Sequence, residues 1–178
     1  MIRSARTFLR RLGGNRDGVS AVEFALIAPV MVLLYLGMVE ISLALSVDRK
    51  VTNAASAIAD LIAQDDVITD GEMINILNAS RAIIAPYDTD QFAVRISSVS
   101  MDLTGDVAVD WSDARGTLAR AEGSQPTLPA GLLNPGRSII WVEVAYAYDA
   151  PFREITGDFN IEEEFFLRPR QSLVVSRD

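Results

Sequence analysis

The chain has 178 residues, 16 of them basic and 24 acidic, with no cysteine and no histidine. That composition excludes disulfides, thiol nucleophiles, cysteine-type zinc sites, Ser-His-Asp triads and histidine-ligated metals. A pI of about 4.6 argues against a nucleic-acid partner, which needs a basic face, and 49 % apolar residues exclude a globally disordered chain.

The charge is unevenly placed. Residues 1–17 hold Arg3, Arg6, Arg10, Arg11 and Arg16 against Asp17 alone, a net +4. The remainder holds 11 basic and 23 acidic side chains, a net −12. Between them lies the most apolar stretch, VSAVEFALIAPVMVLLYLGMVEISLAL, from Val19 to Leu45. Phe24 to Val39 carries no charge. A helix from Val19 to Val39 is about 31 Å long, which matches a hydrocarbon core of about 30 Å. Pro29 and Gly37 are compatible with a membrane helix, and Pro29 is a candidate kink. The alternative, a helix buried on all sides in a soluble protein, needs a larger core than this chain supplies. Basic residues before an apolar span hold that side in the cytoplasm. The expected organisation is therefore a cytoplasmic basic leader at 1–18, a transmembrane helix at 19–45 and an acidic head at 46–178 beyond the membrane.

Glu23 does not suit a simple anchor. A carboxylate at membrane depth costs on the order of 1–3 kcal/mol, less near the interface. It marks either the cytoplasmic edge of the span or a functional group with a partner.

Further down the chain, Val47, Val51, Ala54, Ile58, Leu61 and Ile62 fall at helical spacing. No Gly or Pro separates them from the span, so one rod is expected from Val19 to Gln64, amphipathic over 46–64, with this stripe as the head's core face. Glu72–Ala85 reads as a second, shorter helix with Met73, Ile76, Leu77 and Ile83 or Ile84 inward. Phe92, Val94 and Ile96 then alternate, and Val99, Met101 and Leu103 alternate on the other parity, so a bulge or twist is expected at Ser97-Ser98. Thr104-Gly105-Asp106 is a hairpin signal, with Val107, Val109 and Trp111 on the return strand. Residues 123–136 read as a long loop. Ile140 to Tyr148 alternate as a third strand, and Phe165, Leu167 and Leu173–Val175 suggest a fourth. The fold class is α+β: a long N-terminal transmembrane and amphipathic helix, a short second helix and a small antiparallel β-sheet head.

Chemistry in the head is sparse. Glu162-Glu163-Glu164 reads as a solvated face or loop. Asp102, Asp106, Asp110 and Asp113 do not match the EF-hand spacing, and Asp106 and Asp110 are expected to face water. Arg168 and Arg170 are expected to pair with the glutamate run or cap the sheet edge. The serines lack a histidine, the only lysine is Lys50, and no phosphate-binding glycine loop occurs. These residues suggest no enzyme, no metal and no cofactor.

The order of basic leader, Gly18, four small or apolar residues, Glu23, Phe24 and an apolar helix resembles the processing site of type IV pilin-like precursors, G-x-x-x-x-E-[FY]. The run DGVSAVEFALIAPVMVLLYLGMVE (17–40) more closely resembles the TadE/TadG-like minor pilins of the tight-adherence (Tad, Flp) pilus system. Ala21, Val22, Glu23, Phe24, Ala25, Leu26, Pro29, Gly37 and Glu40 carry that likeness. VEVAYAYDAPF (142–152) and FFLRPRQSLVV (165–175), with Arg168-Pro169-Arg170, resemble later family segments. Asp17 departs from the arginine more often found before the glycine.

The resemblance implies a pilus-assembly subunit in a bacterial inner membrane, with its head periplasmic. A prepilin peptidase would cut between Gly18 and Val19, with Glu23 and Phe24 in recognition and assembly. The new Val19 ammonium would then lie beside a neighbouring subunit's Glu23, in a low dielectric that strengthens the pair. Partners would be that peptidase, other Tad pilin-like subunits, the inner-membrane assembly machinery and membrane lipid. Two other readings are an untrimmed single-pass anchor with a periplasmic binding domain, and a secreted protein cut near Ala44-Leu45-Ser46. The last has an apolar region longer than a signal core.

Overall fold

The structure, a computed structural model, describes residues 17–151, 153, 157 and 159–178. The leader arginines Arg3, Arg6, Arg10, Arg11 and Arg16 lie outside the described residues, as does Phe152.

The first helix, α1, runs without a break from Asp17 to Ala63. Pro29 lies inside it and does not interrupt it. The helix has two regimes of exposure. Phe24, Leu26, Ile27, Met31, Leu33, Leu34 and Tyr35 are exposed, whereas Val47, Val51, Ala54, Ile58 and Ile62 are fully buried. The amphipathic stripe thus forms the head's core face as its spacing predicts. Leu61 is the exception, and 43 % of its surface stays exposed.

A two-residue strand β1 (Val67–Ile68) follows, then helix α2 (Asp70–Ile84). Thr69 caps α2 with a reciprocal capping box: its hydroxyl accepts from the Glu72 amide, and the Glu72 carboxylate accepts from the Thr69 amide at 2.9 Å. Met73, Ile76, Leu77 and Ile84 point inward. Lys50 of α1 holds the other end of α2. Its ammonium donates to the carbonyls of Ile83 (3.2 Å) and Ala85 (2.6 Å), where a cation complements the helix dipole.

Four antiparallel strands form the sheet in the order β3-β2-β4-β5: β2 (Phe92–Met101), β3 (Val107–Arg115), β4 (Arg137–Tyr148) and β5 (Phe159–Leu167). One face packs on both helices through Val94, Ile96, Val142, Val144, Tyr146 and Ile161. The opposite face has a smaller core of Val99, Val109, Ile139, Trp141 and Leu133, with Leu128 and Leu132 packed against it. The predicted loop between β3 and β4 supplies those leucines, so it is a lid on the sheet's outer face.

The expected irregularity lies between Ser98 and Val99, where the β2–β3 register shifts by one. The extra residue is on β3. Ser98 pairs with Trp111 and Val99 with Val109, leaving Asp110 over. Strand β2 stays in register with β4 throughout. The parity change in β2 therefore reflects two cores on opposite faces of one regular strand. The bulge flips β3, so Trp111 joins the helix-side core and Val109 the outer one. Asp110 does not face open water as expected. It is half-buried and accepts hydrogen bonds from the Ser98 and Ser100 hydroxyls.

Glu162-Glu163-Glu164 is the middle of β5: Glu162 and Glu164 are exposed, the solvated face expected of them, and Glu163 accepts from the Thr52 hydroxyl of α1 at 3.2 Å. Three further expectations are corrected. Leu173–Val175 is not a strand. The chain instead pairs Ser176–Arg177 (β6) in parallel with β1, a two-stranded sheet beside the main one. Leu103 lies in the β2–β3 turn and is 86 % exposed. Arg168 and Arg170 do not bond the glutamate run: Arg168 donates to the Leu132 carbonyl, and Arg170 bonds Asp60 near the end of α1.

Candidate functional site

The first site is the opening of α1. Gly18, Val19, Glu23 and Phe24 all lie in its first two turns and are exposed, Phe24 by 72 %. None belongs to the buried clusters of the head. Val19 and Glu23 are one helical turn apart and share a face. A Cβ on Gly18 would meet nothing within 4 Å, and its φ is not positive. A glycine in a helix interior costs about 1 kcal/mol relative to alanine, and among the described residues no close contact requires one at this position.

The helix over Gly18–Ala63 is long and apolar enough to cross a membrane, and only 6 % of its most apolar 18-residue window is buried. The core helix of a soluble protein would have most of that window covered. An apolar cylinder exposed on every side is stable in hydrocarbon, since all its backbone groups are bonded internally.

The second site is the junction of helix and head. Glu40 of α1 is 1 % exposed, four residues below Ala44, where the core begins. The Tyr148 hydroxyl at the end of β4 lies against its carboxylate, and burial together with Glu40 pushes that hydroxyl up to about 12. Tyr148 in turn lies 5.1 Å from the Phe159 ring at the start of β5. The likeness drawn from residues 17–40 includes Glu40, but sequence spacing alone gives no hint that it is buried, because its partner is 108 positions away.

The outer face of the sheet carries a third cluster. Glu143 accepts from Arg95 Nε at 2.6 Å and from Arg120 at 2.8 Å, and Arg120 lies 3.8 Å over the Trp141 ring. The bond to Glu143 raises the Arg95 guanidinium further above its already high value. Both cations are matched by the one carboxylate and a π-face, so the cluster ties the β3–β4 lid to the sheet. Among the described residues, no group of three or more metal-ligating side chains converges.

Residues 18–60, about a quarter of the chain, match a family described as TadE-like protein. The match takes in the exposed opening of α1, Glu40 and most of the core-facing stripe. It supports a membrane-associated component of the Tad pilus system, a family of structural rather than catalytic proteins. The chain matches no curated protein and no solved structure.

Proposed function

With residues 18–60 forming a TadE-like region, we propose that the chain is a minor pilin-like subunit of the Tad pilus, trimmed by a prepilin peptidase between Gly18 and Val19. The observation that carries this reading is a glycine that no packing among the described residues requires, at the opening of an exposed apolar helix. A peptidase cleft needs a bare, extended backbone, and glycine provides one. The bond lies in the first turn of α1, where helix hydrogen bonding is least complete, so local unwinding into a cleft costs little.

In the proposed arrangement the basic leader stays cytoplasmic, α1 crosses the inner membrane once, and the acidic head is periplasmic. Glu23 then lies near the cytoplasmic edge of the bilayer, where the Val19 ammonium of an adjacent subunit can neutralise it. Glu23 and Phe24 serve peptidase recognition and assembly. The partners are the peptidase, other Tad pilin-like subunits, the inner-membrane assembly machinery and lipid.

Mass spectrometry of natively expressed protein is expected to find Val19 as the first residue. Gly18→Val is expected to leave a full-length precursor in the membrane, and Glu23→Ala to permit trimming but impair assembly. A mature protein that begins at Met1 would instead favour an untrimmed anchor with a periplasmic binding domain. One that begins near Val47 would favour a secreted head. If both variants support piliation like the parent, the proposal fails.

A further inference from the structure

The geometry points to the Tyr148–Phe159 end of the sheet as a second membrane contact, resting on lipid headgroups beside the emerging helix. The inference rests on the reading of α1 as a membrane span and extends it to the head.

Three observations converge. The first is height. From Val19 to Glu40, α1 rises about 32 Å, close to the thickness of a hydrocarbon core. Glu40 is therefore at the far boundary of the bilayer, and it is covered by the head there. Leu36, Gly37 and Val39, within the turn below, are already half-buried. No spacer separates head from membrane.

The second is direction. Strand β4 ends at Tyr148, and its neighbours Phe92, Tyr146 and Phe159 are in register at the same end of the sheet. That end is the one fixed to Glu40. The opposite end, where Met101 pairs with Arg137 and Leu103 protrudes, is about 30 Å further from the bilayer.

The third is surface chemistry. Phe159 is 40 % exposed and continuous with Tyr148, while Pro151 and Arg153 are exposed beside it. Phe159 is the exposed ring at this end, since Tyr148, Tyr146 and Phe92 are buried, and an exposed phenylalanine places its apolar ring at the boundary between headgroups and acyl chains. Arg153 can reach lipid phosphate, since its approach to Asp149 is loose at 3.9 Å. Asp88, Asp90 and Asp149 lie at the same end, which favours a zwitterionic over an anionic surface. The occupant is thus a phosphatidylethanolamine or phosphatidylcholine headgroup layer, continuous with the lipid around α1.

The chain has no cysteine, so single-cysteine variants report position cleanly. Phe159→Cys, Arg153→Cys, Leu33→Cys and Leu103→Cys would be labelled with an environment-sensitive fluorophore in the full chain, in phosphatidylcholine–phosphatidylethanolamine nanodiscs. Labels at positions 159 and 153 are expected to lose about half their emission to nitroxide on acyl carbon 5. Iodide should quench them several-fold less than the label at 103. The label at 33 should respond to nitroxide deep in the chains. If 159 and 153 behave like 103 while 33 is quenched, the head stands clear of the bilayer and the inference is wrong, with the span intact. If 33 is not quenched, the span reading fails and the inference with it. Because Phe159 packs on Tyr148, the exposed Arg153 position guards against a variant that merely misfolds.

Discussion

The amide of Arg170 donates a 2.9 Å hydrogen bond to the carbonyl of Ala63, the last residue of α1. A helix end leaves its final carbonyls without partners, and here a residue 107 positions downstream supplies one. The Arg170 guanidinium also bonds Asp60, one turn earlier. The Arg168-Pro169-Arg170 segment, which has no evident role in the sequence, is thus a stop on the long helix. It ties the far end of the head to the rod that leaves it.

Main-chain and side-chain shares of that stop are separable. The Arg170–Asp60 pair is about half exposed, so Arg170→Ala is expected to cost about 0.5 kcal/mol. Arg170→Pro removes the donor itself and strands the Ala63 carbonyl, for about 1–3 kcal/mol. Denaturant unfolding of the two variants in detergent checks the order. A proline variant no less stable than the alanine variant would show that the amide bond is dispensable.

Burial and Glu40 raise the Tyr148 hydroxyl to about 12, well above the usual tyrosine value of 10. A raised folded value means stability is intact below pH 10, the unfolded value, and is lost as pH rises through about 12. The loss attributable to Tyr148 is on the order of 2 kcal/mol. Tyr146, also raised chiefly by burial, adds in the same direction. Thermal melts between pH 9 and 12 should fall in the parent, and Tyr148→Phe should flatten much of that slope. An unchanged slope would contradict the assignment.

Gly116 turns the chain from β3 into the lid at φ +75°, and a Cβ there would meet the Ala93 Cα and the Phe92 carbonyl at 3.0 Å. Both the backbone conformation and the close approach to main-chain atoms need glycine. Gly116→Ala is expected to destabilise the head by about 1–3 kcal/mol. Gly123→Ala, with the same sign of φ but open space around it, should cost less. Chemical denaturation of the pair tests the difference.

Trp111 reaches its position only because of the bulge at Asp110, and its indole Nε1–H donates to the Val175 carbonyl at 2.8 Å. Trp111→Phe keeps most of the ring but leaves that buried carbonyl without its donor, at about 1–2 kcal/mol. Hydrogen exchange should speed up at Ser176 and Asp178, whose amides bond Asp66 and Ile68. Exchange unaltered there would mean β6 is held without Trp111.

The downstream likenesses at 142–152 and 165–175 lie beyond the matched region, and the structure gives them a physical sense. The first is the strand whose last tyrosine meets Glu40. The second carries the Arg170 stop and the approach to β6. Both patches lie where the sheet meets α1, one at each end of the helix's packed half.

Sequence alone determined the elements whose cause is local. The long apolar half of α1 follows from an uncharged run, its core face from a 3.6-residue period, α2 from its spacing, and three strands from alternation. The motif around Gly18 and Glu23 was legible for the same reason: its residues are contiguous. What only the tertiary structure decided depends on residues far apart meeting. It turned the β3–β4 loop into a lid over a second core, put the glutamate run inside β5, and paired β6 with β1. It also buried Glu40 beneath Tyr148 and set Arg170 on Ala63. Periodicity reports one face of one element, and whether a second face is covered depends on what the rest of the chain can reach.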